Sequence, residues 1–259
     1  MDICNHTLKY ESKVTIKVIL NYAMEKGLIF DNQLKLFGDS EIAGYSNGNI
    51  AVKEIPREKA NAIIIKNHYS HKVYNASYIH LGVFIEDNLV GVLQYGSAMN
   101  PASGDSVVSG TSIDNFLELN RMWIDDSAGN TSESQAISCS IRYIKHRYPK
   151  VKWIQSFADE RCGCYGIVYQ ACSFSYYGEH INIFWELDGE YYHNINMTIA
   201  KDSKRYINNV GGAKLLQENK ERAIKHELRQ FRYIKFIDKS WKKKCRLKEL
   251  PYPKYYNND

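Results

Sequence analysis

The stretch Phe116–Phe174 constrains the fold of this chain more strongly than any other part of its sequence. It contains an apolar strand over 116–124, a Ser/Gly/Asn loop, an amphipathic helix from Ser132 to about Tyr148, and a second strand over 151–158. Two strands that a helix connects are typically parallel neighbours in one sheet. Predicted hairpins and short helices lie on both sides of this unit. The sequence therefore predicts an α/β (α+β) fold with a mixed central sheet flanked by helices.

The loop that opens the helix has the composition of a phosphate-binding loop. Between Ser127 and Ser132 it contains no lysine and no acidic residue. The first backbone N–H groups of a helix have no partner within the helix and carry partial positive charge, which suits a phosphate group. Ser127, Gly129, Asn130, Ser132 and Ser134 are therefore candidate cofactor-binding residues. Ser134 is alternatively an ordinary serine on the surface of the helix.

Charge divides the chain into two parts. Residues 201–259 contain 17 Lys and Arg against 7 Asp and Glu, whereas residues 1–200 contain 17 basic and 22 acidic residues. We therefore expect a main domain over 1–200 and a basic, helical C-terminal extension over 201–259 that packs on it. The helical pattern covers residues 213–231. Such a segment, with interleaved aromatic residues, favours a polyanionic partner, although a solvated lysine-rich helix without any partner has the same charge.

Candidate reactive side chains lie at the ends of predicted elements. His68 and Tyr69 follow a predicted helix, where they form either a site or an ordinary helix terminus. Arg121 is suited to hold a carboxylate or phosphate through two hydrogen bonds, or it forms a surface ion pair. Asp159 follows the second strand, as a base, a metal ligand or an N-cap. Tyr169 is a proton donor or a packing residue.

In the predicted strand 116–124, successive side chains point to opposite faces of the sheet. With a period of two, Leu117, Leu119, Arg121 and Trp123 are predicted to share one face. The opposite face then carries the residues between them.

Other features of the sequence exclude whole classes of protein. The chain has no run of about 18 apolar residues, so no membrane span is expected. Its first residues lack a secretory pattern. Six cysteines form no Cys-x-x-Cys motif, which is typical of reduced thiols in a cytosolic protein.

The order of the predicted elements resembles that of the acyl-CoA-dependent N-acetyltransferase (GNAT) superfamily. Residues 169–178 resemble its Tyr-x-x-x-Gly-Phe-x-x-x-Gly signature, with Ser173 in the place of the usual first glycine. The loop departs from the usual Arg/Gln-x-x-Gly-x-Gly/Ala pattern and here is Asp-Ser-Ala-Gly-Asn-Thr-Ser-Glu-Ser. The resemblance implies acetyl-CoA or a related acyl-CoA as the cofactor. It also implies that Tyr169 protonates the departing thiolate.

A closer resemblance, from about residue 60 onward, is to the Mom family of bacteriophage DNA-modification proteins. The matching segments include 67–70, Leu117–Met122, Glu133-Ser134, Asp159 and the helix of Tyr169. The resemblance implies a transferase that converts adenine in DNA to N6-(carbamoylmethyl)adenine and so protects phage DNA from host restriction. It also implies four catalytic residues, which are Arg121, Ser134, Asp159 and Tyr169.

The implied reaction predicts the partners of the protein. Adenine N6 is inaccessible inside a duplex, so double-stranded DNA would present the base flipped out or locally unpaired, in the cytoplasm of the infected bacterial host. A carbamoylmethyl group attaches through a CH2 carbon, which a redox metal would help to activate. His68, Tyr69 and Asp159 are therefore predicted to bind iron through nitrogen and oxygen ligands.

Two other function classes stay open at the level of the sequence. One is an ordinary acyl-CoA-dependent N-acetyltransferase that acts on a small amine or a protein amino group. The other is a DNA-binding protein without activity. The sequence also leaves the oligomeric state open, with a dimer as one option.

Overall fold

The structure, a computed structural model, describes residues 44–47, 49–163 and 165–254 of the chain. These residues belong to two compact units. The first unit contains the described residues up to Ile154 together with Lys235–Arg246, and the second contains Gln155–Ile234 and the residues from Leu247 onward. Residues 1–43 of the predicted first domain lie outside the described residues. The predicted division of the chain at residue 200 remains a prediction.

The described part of the first unit contains five successive antiparallel strands. Its helices and strands are β1 (Gly44–Asn47), β2 (Ile50–Glu54), α1 (Arg57–Asn67), β3 (Ser77–Ile85), β4 (Asn88–Gly96), α2 (Ser103–Val107), β5 (Phe116–Ile124) and α3 (Ser132–Arg147). Strands β1 to β5 pair in the order of the chain. The predicted hairpin over 78–97 and the predicted helix from Ser132 are confirmed. A further strand, β6 (Trp153–Asp159), begins here and continues in the second unit.

The second unit combines three antiparallel strands with short helices. Its elements are α4 (Ile167–Ala171), β7 (Ser175–Leu187), β8 (Glu190–His193), α5 (Ile195–Thr198), α6 (Lys204–Ile207), α7 (Ala213–Glu218) and most of β9 (Ile224–Phe236). Strand β7 pairs with β8 and with β9. The predicted hairpin over 173–193 is confirmed. No helix among the described residues has the length and apolar character that a membrane span requires.

The prediction of a helical C-terminal extension is wrong for residues 224–231. Helix α7 ends at Glu218, and β9 begins at Ile224 and pairs with β7. Phe231 and Tyr233, two residues apart, are 1% and 0% exposed. A charged sequence with good helix formers becomes a strand here because the ladder with β7 and the burial of alternate aromatic rings outweigh its helix propensity.

The prediction that Arg121 shares a face with Leu119 is also wrong, because β5 contains a bulge at Asn120. Gln94 lies opposite Arg121, while the next residue of β4, Tyr95, lies opposite Leu119. The extra residue reverses the alternation of faces. Leu119 therefore accompanies Tyr95, whose hydroxyl contacts Ser140 of α3 at 2.5 Å. Arg121 lies on the face that carries α1.

Side chains on both sides of the bulge support this reversal. Trp123 packs against the cluster that Ala60 and Ile64 of α1 form with Val92 of β4, so it shares the face of Arg121. The Asn120 side chain accepts a hydrogen bond from the Ser77 hydroxyl at 3.0 Å and donates to a Glu118 carboxylate oxygen at 3.1 Å. These bonds hold the unpaired residue in place.

The buried position of Phe231 gives a test of the β9 assignment. We expect Phe231→Ala to lower the free energy of unfolding by about 3–5 kcal/mol, because it removes a fully buried ring. The control Lys225→Ala, at an exposed position of the same strand, should change it by about 0.5 kcal/mol or less. Urea unfolding followed by circular dichroism measures both variants, and equal effects would contradict a strand with one buried face.

Candidate functional site

The loop after α1 fixes His68 and Tyr69. The backbone N–H of His68 donates to the Ile64 carbonyl at 3.0 Å, so His68 caps the helix. Its buried ring accepts a hydrogen bond at Nδ1 from the Ser70 amide at 3.1 Å, and the Ser70 hydroxyl lies 2.8 Å from the same nitrogen. The ring of Tyr69 lies 4.3 Å from the ring of His68 between centroids. Both side chains are therefore positioned by the end of α1.

The same loop contacts Arg121. The guanidinium Nε donates to the Lys72 carbonyl at 3.1 Å, and Nη1 donates to the Asn120 carbonyl at 2.7 Å. The guanidinium carbon lies 5.7 Å from the centroid of the Tyr74 ring. The structure thus brings the loop that carries His68 and Tyr69 together with Arg121 in the first unit. Arg121 lies within β5, three residues before its end, and not at the strand end that the sequence predicted.

Tyr74 and Glu118 complete the surroundings of Arg121. Burial and the nearby Glu118 carboxylate raise the pKa of Tyr74 to about 12, against the opposing effect of Arg121. The Tyr74 hydroxyl therefore stays protonated at neutral pH. Sequence reasoning missed Tyr74, because no motif marks it. Glu118 lies within the segment Leu117–Met122, which the family resemblance had already marked.

The predicted cofactor loop leads directly into α3, and its serine side chains bond within the loop. The Ser127 hydroxyl donates to Asp125 at 2.6 Å, and the Ser132 hydroxyl donates to the Gly129 carbonyl at 2.7 Å. The Ser134 hydroxyl donates to the Thr131 carbonyl at 3.0 Å. These serines therefore shape the loop. Any phosphate bound here would depend mainly on backbone N–H groups.

The open space beside this loop favours a phosphate ligand, whereas the negative charge of the residues that flank it disfavours one. A Cβ atom added to Gly129, which has a positive φ of 91°, would meet nothing within 4 Å, and Asn130 is exposed. There is thus room for a ligand beside the loop. Acidic residues flank it, however. Hydrogen bonds from Ser127 lower the pKa of Asp125, while burial and the charge of Asp126 raise the pKa of Glu133.

Asp159 lies in the second unit and is held by Arg161. Its side chain caps the turn that follows β6, since Oδ1 accepts from the Arg161 amide at 3.0 Å. The Arg161 guanidinium donates to Oδ1 at 3.0 Å and to Oδ2 at 2.6 Å. Burial raises the pKa of Asp159, but the hydrogen bonds and charge of Arg161 outweigh it and the net pKa is lowered. The carboxylate is thus ionised and fully engaged.

Arg161 is a residue that sequence reasoning missed. Its guanidinium carbon lies 4.3 Å from the ring centroid of Phe184 and 5.4 Å from that of Tyr191. Two aromatic rings and one carboxylate therefore restrain it. Its position two residues after Asp159 could have identified it, because the side chain of an acidic N-cap residue accepts a hydrogen bond from the backbone amide two residues later.

Tyr169, on α4, packs into an aromatic cluster of the second unit. Its ring centroid lies 5.6 Å from that of Phe174 and 5.4 Å from that of Tyr233. The Tyr233 hydroxyl donates to the Tyr165 carbonyl and accepts from the Gln170 side chain at 3.0 Å. Only 8% of Tyr169 is exposed. These contacts fix the position of the Tyr169 side chain, which is consistent with the catalytic interpretation and with the packing interpretation.

The prediction of an iron site is not supported. The Nδ1 atom of His68 lies 2.8 Å from the Ser70 hydroxyl and 3.1 Å from the Ser70 amide nitrogen, so the loop engages one of its two ring nitrogens. Both oxygens of Asp159 are engaged by Arg161. Within the described parts of the chain, no three His, Cys, Asp or Glu side chains come together in a way that could hold a metal ion. The structure therefore gives no support to iron binding by His68, Tyr69 and Asp159.

Comparison with known proteins decides the family. A model of the Mom protein family matches residues 49–254. The chain belongs to this family. A family member, the protein named Methylcarbamoylase mom from Escherichia phage Mu, is 46% identical to it in an alignment of 220 residues that covers 83% of this chain and 88% of the phage Mu protein.

This chain is also similar, at much lower sequence identity, to solved structures. A ribosomal L7/L12 alpha-N-protein acetyltransferase is 11% identical, with 77% of this chain and 97% of that chain covered and a TM-score of 0.45. A ribosomal-protein-S5-alanine acetyltransferase from Vibrio fischeri is 11% identical, with 76% and 98% covered and a TM-score of 0.44. No residue role follows from a likeness at this distance.

The pairing of Asp159 with Arg161 predicts a specific dependence on pH. We expect Arg161→Gln to lower the free energy of unfolding by about 3 kcal/mol near neutral pH, because it leaves a buried carboxylate without its cation. Since the folded pKa of Asp159 is lowered, the pairing stabilises the protein above the unfolded pKa of about 3.9. That stabilisation is lost as the pH falls through the folded pKa, so the difference between wild type and variant should narrow in acid.

Urea unfolding over a range of pH measures this difference. Arg222→Gln is the matched control, because Arg222 pairs with Asp188 at a position where both side chains are more than half exposed. The control should change the free energy of unfolding by about 1 kcal/mol or less at every pH. A loss for Arg161→Gln that stays constant down to acid pH would show that the two residues are not coupled.

Proposed function

We propose that this protein is a DNA-modifying transferase that converts adenine in DNA to N6-(carbamoylmethyl)adenine. One observation carries the proposal, which is the 46% identity over 220 residues with the phage Mu protein named Methylcarbamoylase mom. The match extends over 83% of this chain and is not confined to one motif. By this proposal the protein works on phage DNA in the host cytoplasm and protects it from restriction.

The chemistry of adenine sets the demands on the site. The N6 lone pair is delocalised into the ring, so N6 is a weak nucleophile, and stacking hides it within the duplex. The enzyme must therefore bring the base out of the stack or act where the strands have opened. In the net reaction the N6–H bond breaks and its proton passes to a base, while a bond forms between N6 and the CH2 carbon of a carbamoylmethyl donor. The bond from that carbon to its leaving group breaks, and the leaving group departs with the bonding electrons and takes up a proton.

We assign roles to the predicted catalytic residues from their surroundings. Arg121, restrained by two carbonyls, holds a carbonyl or phosphate oxygen of the donor. Tyr169 supplies a proton to the departing group. Asp159 acts as an ionised hydrogen-bond acceptor more than as a strong base, because Arg161 lowers its pKa. Ser134 stands at the start of α3, next to the cofactor loop.

The proposed cofactor is acetyl-CoA or a related acyl-CoA. The residues that would hold it are Ser127, Gly129, Asn130, Ser132 and Ser134. The open space at Gly129 and the backbone amides at the start of α3 fit a pyrophosphate, while the flanking acids weaken that fit. When bound, such a group would supply a thioester, which activates the acyl carbonyl carbon; transfer through the CH2 carbon requires a donor with a leaving group on that carbon. The proposed substrate is double-stranded DNA, contacted by a subset of the basic residues in 201–259.

The first test is the mass of nucleosides from plasmid DNA of cells that express the protein. We expect a modified deoxyadenosine that is heavier by about 57 Da, the mass of a carbamoylmethyl group in place of a hydrogen on the exposed base. Unmodified DNA alongside folded protein would contradict the proposal. In that event, thermal-shift titration with acetyl-CoA distinguishes an ordinary N-acetyltransferase, which it stabilises, from an inactive DNA-binding protein.

Single substitutions test the assigned roles. We expect Arg121→Gln and Tyr169→Phe to lower the yield of modified nucleoside by about 100-fold or more, since each removes one charge or one transferable proton. Arg222→Gln and Tyr78→Phe are matched controls at exposed positions and should leave the yield unchanged. Thermal melting checks that all four variants are folded. Wild-type yield from either folded catalytic variant would remove that residue from the mechanism.

A further inference from the structure

A surface of the first unit concentrates lysine side chains from two segments of the chain. A 3₁₀ helix over Lys239–Lys244 contributes four lysines and contains no acidic residue. Lys152 joins them, because its carbonyl accepts from the Ile237 amide at 2.9 Å and from the Asp238 amide at 3.0 Å. We call this surface the lysine patch, and it comprises Lys152, Lys239, Lys242, Lys243 and Lys244.

The backbone that carries the lysine patch is fixed at both ends. Before the 3₁₀ helix, the bonds to the Lys152 carbonyl anchor residues 237 and 238. After it, the Ser109 amide donates to the Lys244 carbonyl at 2.9 Å, and the Arg246 amide donates to the Val107 carbonyl at 2.8 Å. The like charges are therefore held close together by the fold. They are not carried on a loose segment that could spread them apart.

Ring packing adds a second restraint. Residues three apart eclipse each other on a 3₁₀ helix, and Lys244 accordingly places its Nζ 4.0 Å from the centroid of the Trp241 ring. This contact keeps one ammonium group at a defined position without neutralising it. Lys239, Lys242, Lys243 and Lys244 are all exposed.

The patch differs electrostatically from the other basic residues of the tail. In the second unit, Arg229 pairs with Glu160 at 2.8 Å and Lys225 with Glu227 at 2.6 Å. Near the patch, Asp238 lies within electrostatic reach of Lys152 and Lys244, but its Oδ1 already accepts two hydrogen bonds from Ser240. Since the segment 239–244 carries four lysines and no acidic residue, the patch retains an excess of positive charge beside Asp238.

Holding like charges together disfavours folding unless a bound polyanion relieves the repulsion. We propose that the lysine patch binds the phosphate backbone of the DNA duplex and sets the position of the duplex on the enzyme. This inference rests on the proposed function, because it takes DNA as the polyanion. Ammonium groups bind phosphates as point charges and read no base sequence, so the patch contributes affinity and orientation without sequence preference.

The salt dependence of DNA binding tests this assignment in the full-length protein. Binding of a fluorescein-labelled duplex is measured by anisotropy over a series of salt concentrations, for wild type and for the double variant Lys239→Gln/Lys243→Gln. Each lost phosphate contact lowers the slope of log K against log salt by about 1, so the double variant should lose about 2. Lys239→Arg/Lys243→Arg keeps both charges and should retain the wild-type slope.

A matched control separates the patch from the general charge of the tail. Lys214→Gln/Lys220→Gln removes the same charge from exposed positions of the second unit and should leave the slope unchanged. Equal slopes for the two glutamine variants would overturn the inference, whether both fall or neither does. Thermal melting confirms that each variant is folded.

The proposed function is tested separately. If wild-type protein modifies plasmid DNA but the patch variant keeps its slope, this inference alone fails. If wild-type protein leaves DNA unmodified, the proposed function fails, and the inference that rests on it fails as well.

Discussion

The bulge at Asn120 is the constraint on which the arrangement of the first unit depends. A strand with strict alternation cannot bury Leu119 on the face of α3 and also place Arg121 and Trp123 on the face of α1. One additional residue in β5 permits both. The bulged residue is kept in place by hydrogen bonds of its own side chain to Ser77 and Glu118. The position of the candidate arginine therefore follows from the register of the sheet, which in turn follows from one asparagine.

Much of this architecture could be predicted from local sequence. The hairpin 78–97 and the helix from Ser132 have clear periodicity and turn signals, and the structure contains both. The bulge could not be predicted, because a one-residue shift of register leaves no trace in the alternation of apolar residues. Strand β9 could not be predicted from the sequence for another reason. Its residues favour a helix in isolation, and only the partner strand β7, distant in sequence, makes the extended form more stable.

The candidate site shows the same division between local and distant information. The sequence identified Arg121, Asp159 and Tyr169 by type and by position near the ends of elements. It did not reveal what restrains them, namely the Lys72 carbonyl, the Arg161 guanidinium and the Tyr233 ring. These partners decide the chemistry. The Arg161 guanidinium lowers the pKa of Asp159 and binds both carboxylate oxygens, and that is why the iron ligation predicted from residue types alone is not supported.

The position of the tail has a consequence for how the protein folds. Strand β9 runs from the second unit into the first, and tail residues contact partners far back in the chain. Arg246 meets Ser109 across 137 residues, and Arg229 meets Glu160 across 69. Contacts of such separation form slowly, because the intervening chain must lose entropy before they contribute any stability. During synthesis, neither unit can be completed until the tail has emerged from the ribosome. A chain that ends early would contain every candidate catalytic residue and still lack a finished fold.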